Sequence, residues 1–190
     1  MFKNFKLNNF FNLGIHLGGQ YNQLEIPKKR IFALRNKTLI LNLNLFLADF
    51  KKLIPYLNNL FLNKNKVLFI SPSSNFDWVI RKTAIMANQP YVYYFPGVLS
   101  NQDMNYSFIK NQNITKKWSL NLNYAFIPVL DSEILKELNS LYIPTICVVN
   151  NKFYEKITFP IFGNTLSKTR WYFYSMLMSF LLINLQKITK

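Results

Sequence analysis

The sequence predicts an α/β fold, a three-layer sandwich around a mainly parallel central sheet. Three observations carry that reading. Short β-rich runs without polar alternation recur along the chain, as strands buried on both faces require, and "KVLFIS" at 66–71 and "PTICVV" at 144–149 are the clearest. Runs with helical spacing lie between them, so successive strands are joined by right-handed crossovers and pair in parallel. Half of the 190 residues are hydrophobic, which suffices for one core but not comfortably for two. Residues 1–190 are therefore read as a single domain.

The elements follow in order. "MFKNFKLNNFF" is basic, aromatic and free of acids, yet lacks Arg, Ser and a small-residue cleavage site, and is read as mature chain. "NLGIHLGG", Asn12 to Gly19, holds three of the five glycines and the one histidine, His16. Phe50, Leu53, Ile54, Leu57, Leu60 and Phe61 repeat at i, i+3, i+4 and i+7, an amphipathic helix expected to begin near Leu53 with Pro55 in its first turn, or to kink there. After the strand at 66–71, Trp78, Val79, Ile85 and Met86 recur at helical spacing within 75–89. "YVYYF" at 91–95 and "YAFIPVL" at 124–130 are further strands, the second in doubt beyond Pro128.

Between those two strands, residues 101–123 are rich in Asn, Gln and Lys without periodicity, and read as a surface excursion. Asp131 and Ser132 are candidate caps for the helix "EILKELNSLY", whose apolar face is Ile134, Leu135, Leu138 and Leu141. "ITFPIF" at 157–162 is a short strand, and 166–190 a C-terminal helix. The sixteen uncharged residues Trp171 to Gln186 would span only about 24 Å as a helix, short of a hydrocarbon core of roughly 30 Å. Tyr172, Ser175, Ser179 and Gln186 also fall on one arc at 100° per residue. This helix is expected to be buried or covered by a partner, with a membrane anchor as the alternative.

The balance of 23 Lys and Arg against 8 Asp and Glu, net charge +15, attracts polyanions, because each cation on a phosphate releases a counterion. The cations are spread from Lys3 to Lys190, which favours a folded basic surface over a tail. Nucleic acid and anionic membrane are the partners to weigh. Asn outnumbers Ala by 25 to 5, and enrichment in Lys, Asn, Phe, Ile and Tyr matches A/T-rich codons, a bias common in organelle genomes.

Little in the chain supports catalysis. No GxGxxG or GxxxxGK[ST] run is present, and Pro72, Ser73, Ser74 and Asn75 after the first long strand supply no glycine to approach a phosphate. No Ser lies in a GxSxG elbow, and the single His would have to serve any nucleophile. Glu133 and Glu137, one turn apart, read as an exposed helix face beside Lys136. Cys147, the lone cysteine, has no disulfide or zinc partner and reads as a small core hydrophobe. No cofactor, metal, catalytic residue or small-molecule substrate is expected, and a nucleotide-binding enzyme is the disfavoured alternative.

"FNLGIHLGGQ" followed by "RIFALRNKTLILNL" resembles the N-terminal signature of the universal small-subunit ribosomal protein 2 family, a Gly-Val-His-Phe-Gly-His loop and then Ile-Phe-x-x-Arg-Asn. The likeness continues through "KVLFIS", "PYVYYFPGVLSN", "KELNSLYIPTICVVNN" and "FPIFGNTLSKTRWY", from about Phe10 to the final helix. Four departures stand out. Gly19 replaces the family's second loop His, and Ser73, Ser74 and Asn75 replace a Thr-Lys-Arg turn. Phe162 stands where Pro is usual, and the bacterial helical hairpin is reduced to Ser100–Asn123.

The resemblance implies a doubly wound sheet of the flavodoxin-like or Rossmann-like kind and a place in the small ribosomal subunit near the junction of head and body. Its partners would be small-subunit rRNA and neighbouring ribosomal proteins, without membrane. Codon-type bias and the reduced insertion point to a mitochondrial ribosome, with a plastid as the alternative.

On that basis Lys28, Lys29, Arg30, Arg35, Asn36 and Lys37 form the expected main RNA contact, with Ile31 and Phe32 reaching toward the body. Lys82, Lys168 and Arg170 are weaker candidates, and His16 is expected to pin the loop or touch RNA rather than bind metal. Trp171, Phe173, Leu177, Phe180 and Leu181 form the expected protein-protein face, since 18 Phe, 11 Tyr and 3 Trp exceed what a small core buries.

Overall fold

The computed structural model describes residues 7–20, 26–63, 65–100, 122–150 and 152–188. Its centre is a five-stranded sheet built from β4 (Lys66–Ser71), β5 (Tyr91–Tyr93), β6 (Leu122–Ile127), β7 (Thr145–Val149) and β8 (Phe159–Phe162). Every pair in it is parallel and the spatial order is β5-β4-β6-β7-β8. Counted within the sheet that order is 2-1-3-4-5, the flavodoxin-like doubly wound arrangement. The expected three-layer α/β architecture is therefore the one observed.

The uninterrupted apolar strands have the cause inferred for them. Val67 and Phe69 of β4 point into one core and Leu68 and Ile70 into the other, all four fully buried. On the first face lie α1 (Leu7–Asn12), α2 (Leu43–Leu62), α3 (Asp77–Met86) and α5 (Lys168–Ile188), and on the second α4 (Ser132–Ser140) with the segment Tyr94–Leu99. Pro160 is tolerated because β8 is an edge strand. Asp131 caps α4, its side chain accepting from the Glu133 N–H at 2.9 Å.

Several expectations need correction. Helix α2 begins ten residues before Leu53, where the Asn42 side chain accepts from the Asn44 N–H at 3.0 Å. Pro55 sits inside α2, and both it and Lys51, whose carbonyl loses its helical donor, are exposed, so water can serve that carbonyl. On α3 the buried residues are Val79, Ile80, Thr83 and Ala84, while Trp78, Ile85 and Met86 face outward.

Helix α5 packs between α3 and α2, which is why its uncharged run is needed. Leu177 and Leu181 lie in the main core, so neither belongs to an exposed protein-protein face. Ser175 and Ser179, on the polar arc, are buried. Ser179 Oγ donates to the Thr83 carbonyl at 2.8 Å, and Gln186 Nε2 to the Ala87 carbonyl at 3.0 Å. Among the described residues no helix is long and apolar enough to cross a membrane. The expected excursion at 101–123 lies, through residue 121, outside the described residues.

Candidate nucleic-acid interface

A second, antiparallel sheet of order β1-β3-β2 adjoins the sandwich, formed by β1 (Leu17–Gln20), β2 (Ile31–Arg35) and β3 (Thr38–Leu41). The basic cluster is a hairpin of this sheet. Arg35 pairs with Thr38, and Asn36 and Lys37 between them have φ of 48° and 60°, the left-handed pair of a two-residue hairpin turn. Asn suits that conformation, whereas Lys adopts it at a steric cost. Lys28, Lys29, Arg35, Asn36 and Lys37 are all exposed, so the hairpin carries cations at both ends of β2.

Arg30 departs from the cluster. Its Nη1 and Nη2 donate to Asp49 Oδ2 at 2.7 Å and Oδ1 at 3.0 Å, with side-chain exposures of 13% and 6%, and the guanidinium lies 4.7 Å from the Phe162 ring centroid. It is an internal clamp joining the hairpin to α2 and β8, because Asp49 falls in the buried stripe of α2 and requires a cation there. Burial raises the Asp49 pKa, and the hydrogen bonds and charge of Arg30 oppose that rise. Phe32 is likewise corrected. It sits at the irregularity between Ile31 and Ala33 in the β2–β3 register and is 74% exposed, facing away from the body.

The histidine loop is held from three sides. Gly14 turns at φ +64°, the Arg170 Nε donates to the Leu13 carbonyl at 3.0 Å, and Asn164 Nδ2 donates to the Gly14 carbonyl at 3.2 Å. The Leu41 N–H donates to the His16 carbonyl at 2.7 Å, and Ile15 is fully buried. Arg170 therefore spends its Nε on the fold. Burial first, and the Arg170 charge second, lower the His16 pKa, leaving a neutral imidazole at neutral pH. Among the described residues no three His, Cys, Asp or Glu side chains converge on a possible metal.

The remaining candidates are scattered. Lys82 is exposed on α3 and Lys168 at the start of α5, on elements separate from the hairpin. Trp171 is half-buried with Nε1 donating to the Thr165 carbonyl at 2.8 Å, Phe173 is half-buried with its ring centroid 5.4 Å from that of Phe10, and Phe180 is exposed.

At the switch point of the sheet, between the carboxyl ends of β4 and β6, a nucleotide-binding fold would present a glycine-rich turn. Here Ser71 Oγ donates to the Ser73 carbonyl at 3.1 Å within a glycine-free turn. Glu137, expected on an exposed helix face, is half-buried instead. Its carboxylate accepts from the Tyr94 hydroxyl (2.9 Å), the Gly97 N–H (2.7 Å) and the Leu99 N–H (3.1 Å), pinning the segment after β5. Burial and this carboxylate both push the Tyr94 phenol pKa up.

The fold and site define a basic, doubly wound α/β domain without a phosphate-cradling turn and with a cationic hairpin at one edge. A model of the family described as ribosomal protein S2 matches residues 10–126, and the chain belongs to that family. It is similar to the protein "Small ribosomal subunit protein uS2" of Psychrobacter sp. (strain PRwf-1), 35% identical over 102 residues, 52% of this chain and 38% of the relative. The protein of the same name from Acinetobacter baylyi is 34% identical over 102 residues, 52% of this chain and 41% of that protein. The one from Blochmanniella pennsylvanica is 27% identical over 203 residues, 85% of this chain and 89% of that protein. The matched region thus spans about two fifths of the first two relatives and most of the third.

Proposed function

We propose that this protein is a structural constituent of a small ribosomal subunit, binding small-subunit rRNA and neighbouring ribosomal proteins and catalysing nothing. The observation that carries the reading is family membership over 10–126 combined with an exposed cationic hairpin inside that span. Lys28, Lys29, Arg35, Asn36 and Lys37 meet rRNA phosphates, with Lys82 and Lys168 as lesser contacts, Arg170 acting through the loop it holds and His16 touching the RNA. Trp171, Phe173 and Phe180 are the residues of the terminal helix left to meet neighbouring proteins. The ribosome is organellar and mitochondrial, a reading supported by the A/T-codon composition.

Sedimentation tests the proposal. The native protein should travel with the small subunit from purified mitochondria and leave it as salt rises. Replacing Lys28, Lys29, Arg35 and Lys37 with Ala should reduce incorporation and flatten the salt dependence of RNA binding by a slope of roughly 0.7–0.9 for each phosphate left without its cation. Unchanged incorporation would overturn the assignment, and co-sedimentation with plastid subunits would move the location.

A further inference from the structure

Between the histidine loop, the small sheet and the start of α2 lies a cleft of about 460 Å³, lined by Phe11, His16, Phe32, Ile40, Asn42 and Asn44 among others. Its volume falls in the range of small-ligand sites. Two of its walls are aromatic rings that the fold leaves in solvent, Phe11 at 50% and Phe32 at 74% exposure. Such rings contribute little to the core, and Phe32 occupies the irregular position of β2 that turns it outward.

The polar atoms of the cleft are those of a base-reading site. His16 presents a half-exposed imidazole, its ring centroid 5.0 Å from that of Phe11; Nδ1 is buried, which leaves Nε2 as the nitrogen for a ligand. A neutral imidazole nitrogen can accept or donate to a ligand edge, according to tautomer. Asn42 and Asn44 add amides at the N-terminus of α2, a helix of 20 residues with no acid in its first turn, so its positive end is not neutralised locally. Cations adjoin the cleft: the Asn42 N–H donates to the Arg30 carbonyl at 3.0 Å, which sets the exposed Lys28 and Lys29 beside that wall, while Arg35 and Lys37 are exposed at the far end of β2. Among the described residues no carboxylate lines the cleft.

We propose that this cleft takes an unpaired RNA nucleotide, its base stacked on the Phe11 and Phe32 rings, its edge bonded by His16, and its phosphates on the Lys28–Lys29 rim and the α2 N-terminus. The inference deepens the RNA-binding reading above and rests on it. It separates two tasks in one region: the hairpin cations supply charge without regard to base pairing, whereas the aromatic cleft admits only a base out of its stack.

Fluorescence anisotropy of the full chain with a short unstructured oligouridylate and with an A-form duplex of the same length tests this. The single strand should bind more tightly. Phe32→Ala and Phe11→Ala should each weaken it about tenfold with the salt slope unchanged, as removal of one stacked ring requires. Phe32→Trp should retain binding, while Phe32→Leu, apolar but without a π face, should weaken it as Ala does. Because both phenylalanines are half or more exposed, these variants should keep the parent melting temperature, which circular dichroism checks.

Equal binding of duplex and single strand, or full affinity in Phe32→Ala or Phe32→Leu, would overturn the proposal. So would Phe32→Ala impairing subunit incorporation while leaving oligouridylate affinity intact, since the cleft would then hold a protein segment. In those cases co-sedimentation of the parent with the small subunit would still support the ribosomal reading. Its absence would defeat that reading instead.

Discussion

Replacing Arg30 with Met removes the charge that faces Asp49 while keeping most of the volume over Phe162. The carboxyl stays buried, at 6% side-chain exposure, with its bidentate partner gone. The remaining cation near it, Lys52 Nζ at 4.0 Å, is itself well exposed and screened. Asp49 can escape an uncompensated charge by taking up a proton. At pH 7 that lies about three units above the ordinary Asp value, so the escape costs about 4 kcal/mol at most. The figure agrees with the roughly 3–5 kcal/mol usual when one partner of a buried pair is removed.

For a chain of this length, that loss lowers the melting temperature by on the order of 8–16 °C. The sign with pH follows from the direction of the shift. The Asp49 pKa is raised in the fold by burial, and removing Arg30 removes the opposing interactions. Folding then takes up a proton, so stability is present in full below the ordinary carboxyl pKa and is lost as pH rises through the folded value. Thermal and urea unfolding should therefore find Arg30→Met severely weakened at about pH 7 and much less so at about pH 4. The pair Arg30→Met with Asp49→Asn should lose most of that pH dependence. A variant as stable as the parent at neutral pH, or one whose deficit ignores pH, would refute the clamp and return Arg30 to the RNA-facing set.

Other perturbations separate core from surface. Leu177→Ala and Leu181→Ala should each cost about 2–5 kcal/mol in urea unfolding, as deletions in a packed core do; a cost near zero would restore them to an external face. Lys37→Gly should relieve the left-handed turn residue and stabilise the protein by about 1 kcal/mol, while weakening RNA binding through the lost charge. Glu137→Gln should set an amide NH₂ against the Leu99 N–H and cost about 1–3 kcal/mol, read as lost hydrogen-exchange protection at Gly97 and Leu99. Because the His16 pKa is lowered in the fold, its contribution is present above the ordinary imidazole pKa and lost as pH falls below it. Exchange protection of the Leu41 amide, bonded to the His16 carbonyl, should decline over that interval, and His16→Gln should abolish the decline.

The three-layer fold was legible because its strands are buried on both faces. In a chain of this charge, a continuous apolar run such as Val67 to Ile70 must be shielded from water on both sides, and a central strand of a layered sheet provides that. The Asp131 cap was equally local, a side chain bonding an amide two residues on. The start of α2 was misplaced because "LILNLNLFL" reads as one apolar run, although its strand ends at Leu41 and its helix starts at Leu43. The clamp left a faint signal, since Asp49 shares the i, i+3, i+4 stripe of Phe46, Phe50 and Leu53, and a carboxylate at a buried position demands a cation. Which of the nearby cations answers it could not be read from spacing.

The sequence by itself determined the fold class, the family resemblance and the position of the basic cluster, because periodicity, caps and charge are properties of neighbours along the chain. The tertiary structure alone decided which face of α3 is buried, that α5 lies between two helices, that Arg30 turns inward while Lys28 and Lys29 stay in solvent, and that Phe11, His16 and Phe32 share one cleft. Each of these depends on groups brought together from distant segments. A side chain's role is set by the dielectric and the partners it meets there, and those exist only once the layers have packed.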